Sequence, residues 1–334
     1  MKKSPYLSIV IAARNDNYGG DFNQRIQNFI SWNTDLLEKN KIETEIIIVN
    51  WNPIEENPSL FEALQWLKER QFVKFRIITI PHTIHQKFVD STIRKTVPLF
   101  EYLTKNAGIR RAKGEYILAM NPDILIHPNT MLSIKHKLNN KTYFRANRID
   151  FKKCELSLNT IKKNGFKLYM KGYSYKKHPL FLLSLFNNFR IYFQLVIIRK
   201  FESLFKIIDW RPNNHNAEYK YHCNVSGDFL LMHKDNWFAL NAHPENTKLA
   251  LHTDALMVVM AGTSGLKEKV LKNPIFHQEH TRRFNAEEKD NTAYRDAYLH
   301  FQNEAQVMIK EQKPTIYNDD SWGLINFELP EIEF

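Results

Sequence analysis

The sequence predicts an α/β fold built on a doubly wound, mostly parallel sheet, and three observations carry that prediction. Four runs, residues 7–13, 45–50, 73–80 and 115–120, are strand-length and nearly continuous in apolar residues, as strands covered on both faces must be. Segments of helical periodicity stand between them, and alternation of this kind builds βαβ units with right-handed crossovers. The chain has 334 residues, 43% of them apolar, enough for one large domain with insertions.

In order, the first strand is followed by Arg14-Asn15-Asp16 and by Gly19-Gly20, a turn in composition. Asp21 can cap the next helix, in which Phe22, Ile26, Phe29, Ile30, Leu36 and Leu37 recur near a 3.6-residue period until Asn40. The second strand, a short helix marked by Leu60, Leu64 and Leu67, and the third strand come next. Leu99, Leu103 and Ala107 then define a helix, with Gly114 just past its end. Pro122 ends the strand at 115–120, so Asp123 falls at a carboxyl end, where ligands of parallel sheets bind. A carboxylate there can hold Mg²⁺ or Mn²⁺ together with nucleotide phosphates. Taken alone, Asn121-Pro122-Asp123 reads more readily as a plain turn, since all three residues favour turns.

From residue 144 to 222 the alternation gives way to basic and aromatic text, which predicts a helical insertion between a first half at 1–143 and a second at 223–283. Within it, residues 180–208 carry a wide apolar face, but Asn187, Asn188, Arg190, Arg199 and Lys200 interrupt any membrane span. Such a helix suits a membrane surface, but helices packed on a protein core look the same and are the commoner case. The tail, 284–334, is mostly helical and polar.

Three constellations in addition to Asp123 suggest chemistry. Ser226-Gly227-Asp228-Phe229, Pro244-Glu245 and His252-Thr253-Asp254 precede a helical run over 255–261, so Asp254 either faces a cleft or caps that helix. His277 and His280, three apart, form either a metal pair or a pair of surface residues. Arg14-Asn15-Asp16 stands where a nucleotide base would sit, or forms an Asx turn.

Taken together, these pieces resemble the inverting family-2 glycosyltransferases of the GT-A fold, a Rossmann-like architecture. Residues 8–16, Ser-Ile-Val-Ile-Ala-Ala-Arg-Asn-Asp, are similar to the family's first strand and its Asn-acid pair at the base pocket. Lys105-Asn106-Ala107-Gly108 and Ala112-Lys113-Gly114-Glu115-Tyr116-Ile117 resemble the approach to its Asp-x-Asp motif, where Asn121-Pro122-Asp123 stands. The resemblance implies donor contacts from Ala12, Arg14, Asn15, Asp16, Asn50, Lys105, Asn106 and Asn121. It puts Asp228 and Glu245 on the acceptor side with Asp254 as catalytic base, and His277 or His280 as a late histidine completing the metal site of Asp123. Two departures stand out: Asn50 replaces the usual base-binding Asp, and Asn121 replaces the first Asp of the metal motif.

The implied activity is transfer of a sugar, with inversion, from a nucleotide diphosphate sugar, UDP-sugar favoured, to a carbohydrate or lipid-linked glycan, assisted by Mn²⁺ or Mg²⁺. Bacterial polysaccharide assembly is the implied setting. A non-catalytic nucleotide-sugar or membrane-surface binding module is the alternative. The net charge of +11 favours anionic partners but does not choose among them. No Gly-x-Gly-Thr-Arg signature follows Ala13, and no GxGxxG follows any strand, which argues against nucleotidyltransferases and dehydrogenases. The scattered basic residues carry no nucleic-acid-binding signature. Cys154 and Cys223, without CxxC spacing, and an N-terminus leading directly into a strand fit a cytoplasmic protein, peripheral on the membrane's inner face if 180–208 docks there.

Overall fold

Every residue of β1 (Leu7–Ala13) is buried, as in a strand with helices on both faces. The computed structural model describes residues 4–89, 97–151, 220–245, 251–281 and 292–334. Its other strands are β2 (Thr44–Trp51), β3 (Val73–Ile80), β4 (Tyr116–Met120), β5 (Ile124–Ile126), β6 (Thr142–Phe151), β7 (Phe229–His233), β8 (Lys267–Gln278) and β9 (Glu331–Glu333). They join in one sheet, ordered β5-β8-β6-β7-β4-β1-β2-β3-β9. Pairings run parallel for β1 with β2 and β4, β2 with β3, and β6 with β8, and antiparallel elsewhere. Thus β1, β2, β3, β4, β6 and β8 point one way, and the sheet is mostly parallel, as predicted.

Helices cover both faces. On one side α1 (Phe22–Lys39) and α5 (Pro128–Lys137) pack on Ile9, Ile11, Ile46, Ile48 and Phe75. The opposite side carries α4 (Glu101–Arg110), α7 (Thr253–Thr263) and α8 (Thr292–Glu311), packed on Val10, Ile47, Val49, Ile78 and Ile117. The neighbours along β1 and β2 divide between the two cores because successive strand residues face opposite ways. The short helices α2 (Leu60–Ala63), α3 (His82–Phe88) and α6 (Lys234–Ala239) lie in connections.

Gly108 lets α4 approach the sheet. A Cβ there would lie 2.5 Å from a Val10 methyl and 2.9 Å from one of Val49, both on central strands. Gly108→Ala gains about 1 kcal/mol in helix propensity but overpacks a site whose neighbours cannot withdraw, at about 1–3 kcal/mol. Net destabilisation is expected, and a lower urea midpoint at unchanged slope would show it. Gly114 is required for a similar reason rather than as a helix cap: its Cβ would lie 2.6 Å from the Ser8 backbone nitrogen.

Two expectations are corrected, and a third, the helical tail, is borne out and extended. Asp21 does not cap α1 through its side chain; its carboxylate binds Arg25 Nε at 2.9 Å instead. The boundary drawn after residue 143 falls inside β6, which continues the sheet to Phe151. Its text, Thr-Tyr-Phe-Arg-Ala-Asn-Arg-Ile-Asp-Phe, is too polar to resemble the other central strands because its charged residues serve the site described below. The tail is helical in α8 but then returns to the sheet as β9 beside β3. The amphipathic segment 180–208 lies outside the described residues. Among those described, no helix is long and apolar enough to cross a membrane.

Candidate metal and transfer site

The six co-directed strands deliver their carboxyl ends to one edge of the sheet, where open α/β sheets bind ligands. Asp123 lies between β4 and β5, and His277 lies near the end of β8; the β5–β8 pairing sets Ile124 opposite His277. His280 follows two residues beyond the strand. Asp123, His277 and His280 come together with ligand atoms all within 4.8 Å of one another. The Nε2 atoms of His280 and His277 lie 3.2 and 3.7 Å from Asp123 Oδ2. Sequence spacing cannot bring residues over 150 positions apart together; the short antiparallel β5–β8 ladder does.

Each imidazole is oriented from behind. His277 Nδ1 is 2.8 Å from Asp150 Oδ1, and His280 Nδ1 is 3.0 Å from the Thr281 carbonyl. With Nδ1–H donated to these acceptors, each ring directs its Nε2 toward Asp123, the arrangement by which outer carboxylates and carbonyls orient histidine ligands. Asp123 Oδ1 is buried without a hydrogen-bond partner among the described residues, an arrangement that a metal ion would satisfy. Burial alone would raise the Asp123 pKa, but the His280 hydrogen bond and the charges of His277, Arg25 and His280 outweigh it and hold it below its ordinary value. The carboxylate is therefore ionised. One carboxylate and two imidazoles suit Mn²⁺ better than Mg²⁺, which prefers oxygen.

Asp254, in the first turn of α7, is joined to this cluster indirectly: it binds the turn of Gly227 and Asp228, Asp228 pairs with Arg148, Arg148 with Asp150, and Asp150 with His277. Asp254 Oδ2 accepts from Ser226 Oγ at 2.7 Å and from the Gly227 amide at 2.6 Å. Its carboxylate also lies by the buried Tyr102 hydroxyl, whose pKa is raised by burial first and by Asp254 second. The turn Ser226–Asp228 that carries these donors is fixed by two buried cations. Arg145, on β6, donates to the carbonyls of His222 (3.1 Å), Asn224 (2.9 Å) and Ser226 (3.4 Å). Lys105, on α4, donates to Gly227 O, Asn121 Oδ1 and Glu101 Oε1 at 2.9, 2.6 and 2.7 Å.

Several candidates therefore hold the site together instead of facing a ligand. All three Lys105 protons have protein acceptors. The Asn121 amide links Lys105 to Asp228 Oδ1, and Asp228 Oδ2 is paired with Arg148 at 2.7 Å, which leaves Asp228 poorly placed as a base. Asn106 uses its amide on His243 and on Glu245 Oε1. Glu245 Oε1 also accepts from the Gly323 amide, so this residue ties the tail to α4; burial raises its pKa. Asn15 binds both backbone groups of Ile54, and Arg14 pairs with Asp16 while donating to Asn52 O. Ala12 is a buried β1 residue. Asn50 differs from these: at the end of β2 its buried Oδ1 has no partner among the described residues.

Sequence reasoning missed Arg25, Arg145, Arg148 and Asp150. Buried arginines in a helix and a polar strand look like solvated faces until the fold is known. The alternation of Arg145 with Arg148 and Asp150 in an otherwise strand-like run was the available signal.

His243 shows how deeply this region is buried. Its ring lies between Tyr102 and Trp237, with neither nitrogen hydrogen-bonded among the described residues. Burial, aided by the Lys105 charge, holds its pKa well below the ordinary histidine value. The unfolded chain takes up this proton below about pH 6.5 while the folded chain does not, so this contribution is constant above that pH and stability falls below it. The expected slope is up to about 1.4 kcal/mol per pH unit. Urea melts between pH 7.5 and 5.5 check this, and His243→Phe should flatten the dependence by one proton's share.

An α/β domain with a carboxylate and two imidazoles converging beyond its strand ends defines a candidate metal-assisted ligand site. No model of a known protein family matches the sequence, and no curated protein matches it. Solved structures do. S. aureus TarS 1-349 overlaps 81% of this chain at 10% identity and a TM-score of 0.43, and the chain spans 60% of that structure. The mannosyltransferase PcManGT from Pyrobaculum calidifontis, in complex with GDP-Man and Mn²⁺, overlaps 93% of this chain and 74% of its own at 9% identity, with a TM-score of 0.43. TarS 1-349 in complex with UDP-GlcNAc overlaps 92% of this chain and 72% of its own at 9% identity, with a TM-score of 0.43.

Proposed function

We propose that the chain is an inverting glycosyltransferase that uses a nucleotide diphosphate sugar, UDP-sugar favoured, and passes the sugar to a hydroxyl of a carbohydrate or lipid-linked glycan. The observation that carries the proposal is the Asp123–His277–His280 cluster at the strand ends, linked through Asp150, Arg148 and Asp228 to the turn that braces the Asp254 carboxylate. When bound, Mn²⁺ or Mg²⁺ would supply electrostatic stabilisation of the leaving diphosphate. The Asp123 carboxylate and the two Nε2 atoms would hold that ion, and Asp150 would keep His277 turned toward it. Asp254, fixed through Oδ2, would take the acceptor hydroxyl's proton as that oxygen attacks the anomeric carbon opposite the leaving group. Lys105, Arg145 and Asn121 would keep the turn around Ser226–Asp228 in register. Asn50 Oδ1, without a partner among the described residues, is suited to accept from a uracil N–H.

The test is a thermal-shift panel of nucleoside diphosphates and UDP- and GDP-sugars, with and without Mn²⁺. A ligand that binds only the native state at 100 times its Kd stabilises it by about 2.7 kcal/mol. Base-selective, Mn²⁺-dependent stabilisation supports the proposal, and slow hydrolysis of the stabilising donor would separate a transferase from a binding module. No shift with any nucleotide would refute it.

A further inference from the structure

Arg25 plays no part in the roles assigned above, yet it is built into their centre. Its side chain is buried, and every nitrogen has a partner: Nε donates to Asp21 Oδ1 at 2.9 Å, Nη1 to Asp123 Oδ2 at 3.0 Å, and Nη2 to the Tyr18 carbonyl. Asp123 Oδ2 is the same oxygen that faces His280 Nε2 and His277 Nε2. A guanidinium thus already sits on the carboxylate oxygen where the two imidazoles converge.

We propose that Arg25 is a resident cation that holds Asp123 until a diphosphate arrives with a divalent ion, so that the ion binds weakly alone and tightly beside the nucleotide. The proposal rests on the metal-assisted transferase reading. An ion taking Oδ2 at the usual distance of about 2.1 Å would lie within roughly 5 Å of Nη1. Repulsion between a guanidinium and a dication at that range, in a partly buried site, exceeds a tenfold change in affinity. Phosphate oxygens remove the conflict because they carry negative charge for both cations, and arginine suits them geometrically.

Arg25 can surrender Nη1 without leaving its place. Nε and Nη2 keep it on Asp21 and on the turn Tyr18–Gly20. That turn also lies against His280: Gly19, at φ 73°, would place a Cβ 2.9 Å from Arg25 Nη2 and 3.1 Å from His280 Nδ1, and the Tyr18 ring meets the His280 ring at 5.2 Å. Turn, guanidinium and metal cluster are one packed unit.

The experiment titrates Mn²⁺ into the full chain and reads free Mn²⁺ by electron paramagnetic resonance, with and without UDP. UDP is expected to tighten Mn²⁺ binding to the parent at least tenfold. Arg25→Gln should bind Mn²⁺ at least tenfold more tightly than the parent without nucleotide, and UDP should add less. Arg25→Lys, which keeps the charge on a shorter arm, should fall between them. A folded Gln variant with unchanged or weaker Mn²⁺ affinity overturns the proposal and leaves Arg25 a brace for Asp123. If circular dichroism shows the Gln variant unfolded, a Lys variant no tighter than the parent, or a parent indifferent to UDP, overturns it equally. No Mn²⁺ binding by the parent or either variant, even with UDP, removes the metal-assisted reading itself and this proposal with it.

Discussion

Asp254→Asn is expected to lower turnover by about 10²- to 10⁴-fold, the usual contribution of a positioned general base, with donor affinity nearly unchanged. The amide preserves the size of the side chain and an oxygen for Ser226 Oγ and the Gly227 amide, which hold Oδ2 at 2.7 and 2.6 Å. What it removes is the basic site. Asp228→Asn and Glu245→Gln are the controls. Both are expected to act chiefly through structure, because Asp228 is bound by Arg148 and Asn121 and Glu245 by Asn106 and Gly323. Steady-state kinetics with saturating donor, set beside donor Kd values, separates the cases. Near-parental turnover in Asp254→Asn with a collapse in Glu245→Gln would move the base to Glu245 and leave Asp254 as the first-turn acid of α7.

Asp123→Ala is expected to abolish Mn²⁺-dependent donor binding. It deletes the carboxylate toward which both Nε2 atoms point and leaves two imidazole ligands beside an Arg25 that has lost its Nη1 partner. Stability should also change, since breaking a buried ion pair from one side leaves an uncompensated charge at about 3–5 kcal/mol. Arg25 keeps Asp21 as a second carboxylate, so the loss should fall toward or below the lower end of that range. Calorimetric titration of UDP with and without Mn²⁺, on protein shown folded by circular dichroism, checks the outcome. A variant that keeps parental Mn²⁺ dependence would place the metal elsewhere.

The parallel half of the fold was legible because its strands announce themselves: Ile9, Ile11, Ile46 and Ile48 on one face and Val10, Ile47 and Val49 on the other leave no polar side. β6 was not, since Arg145, Arg148 and Asp150 give it the composition of a solvated segment while Arg145 is in fact wholly buried. β9 is a three-residue edge strand whose place depends on pairing with β3, which no local pattern encodes. For the site, the sequence marks which residues have the right chemistry, and Asp123, His277 and His280 do converge. It does not say which polar groups are already satisfied. Lys105, Asn106 and Asn15 resembled ligand contacts until the hydrogen bonds showed them holding the scaffold.

Arg145 grips the turn that braces Asp254 by its backbone alone: Nε, Nη1 and Nη2 all reach main-chain carbonyls, those of His222, Ser226 and Asn224. Such a clamp is blind to the side chains of the residues it holds, so their identities can change without loosening it. The constraint falls instead on the β6 position, where only a planar fork of several donors can reach three carbonyls at once, and a lysine of equal charge cannot.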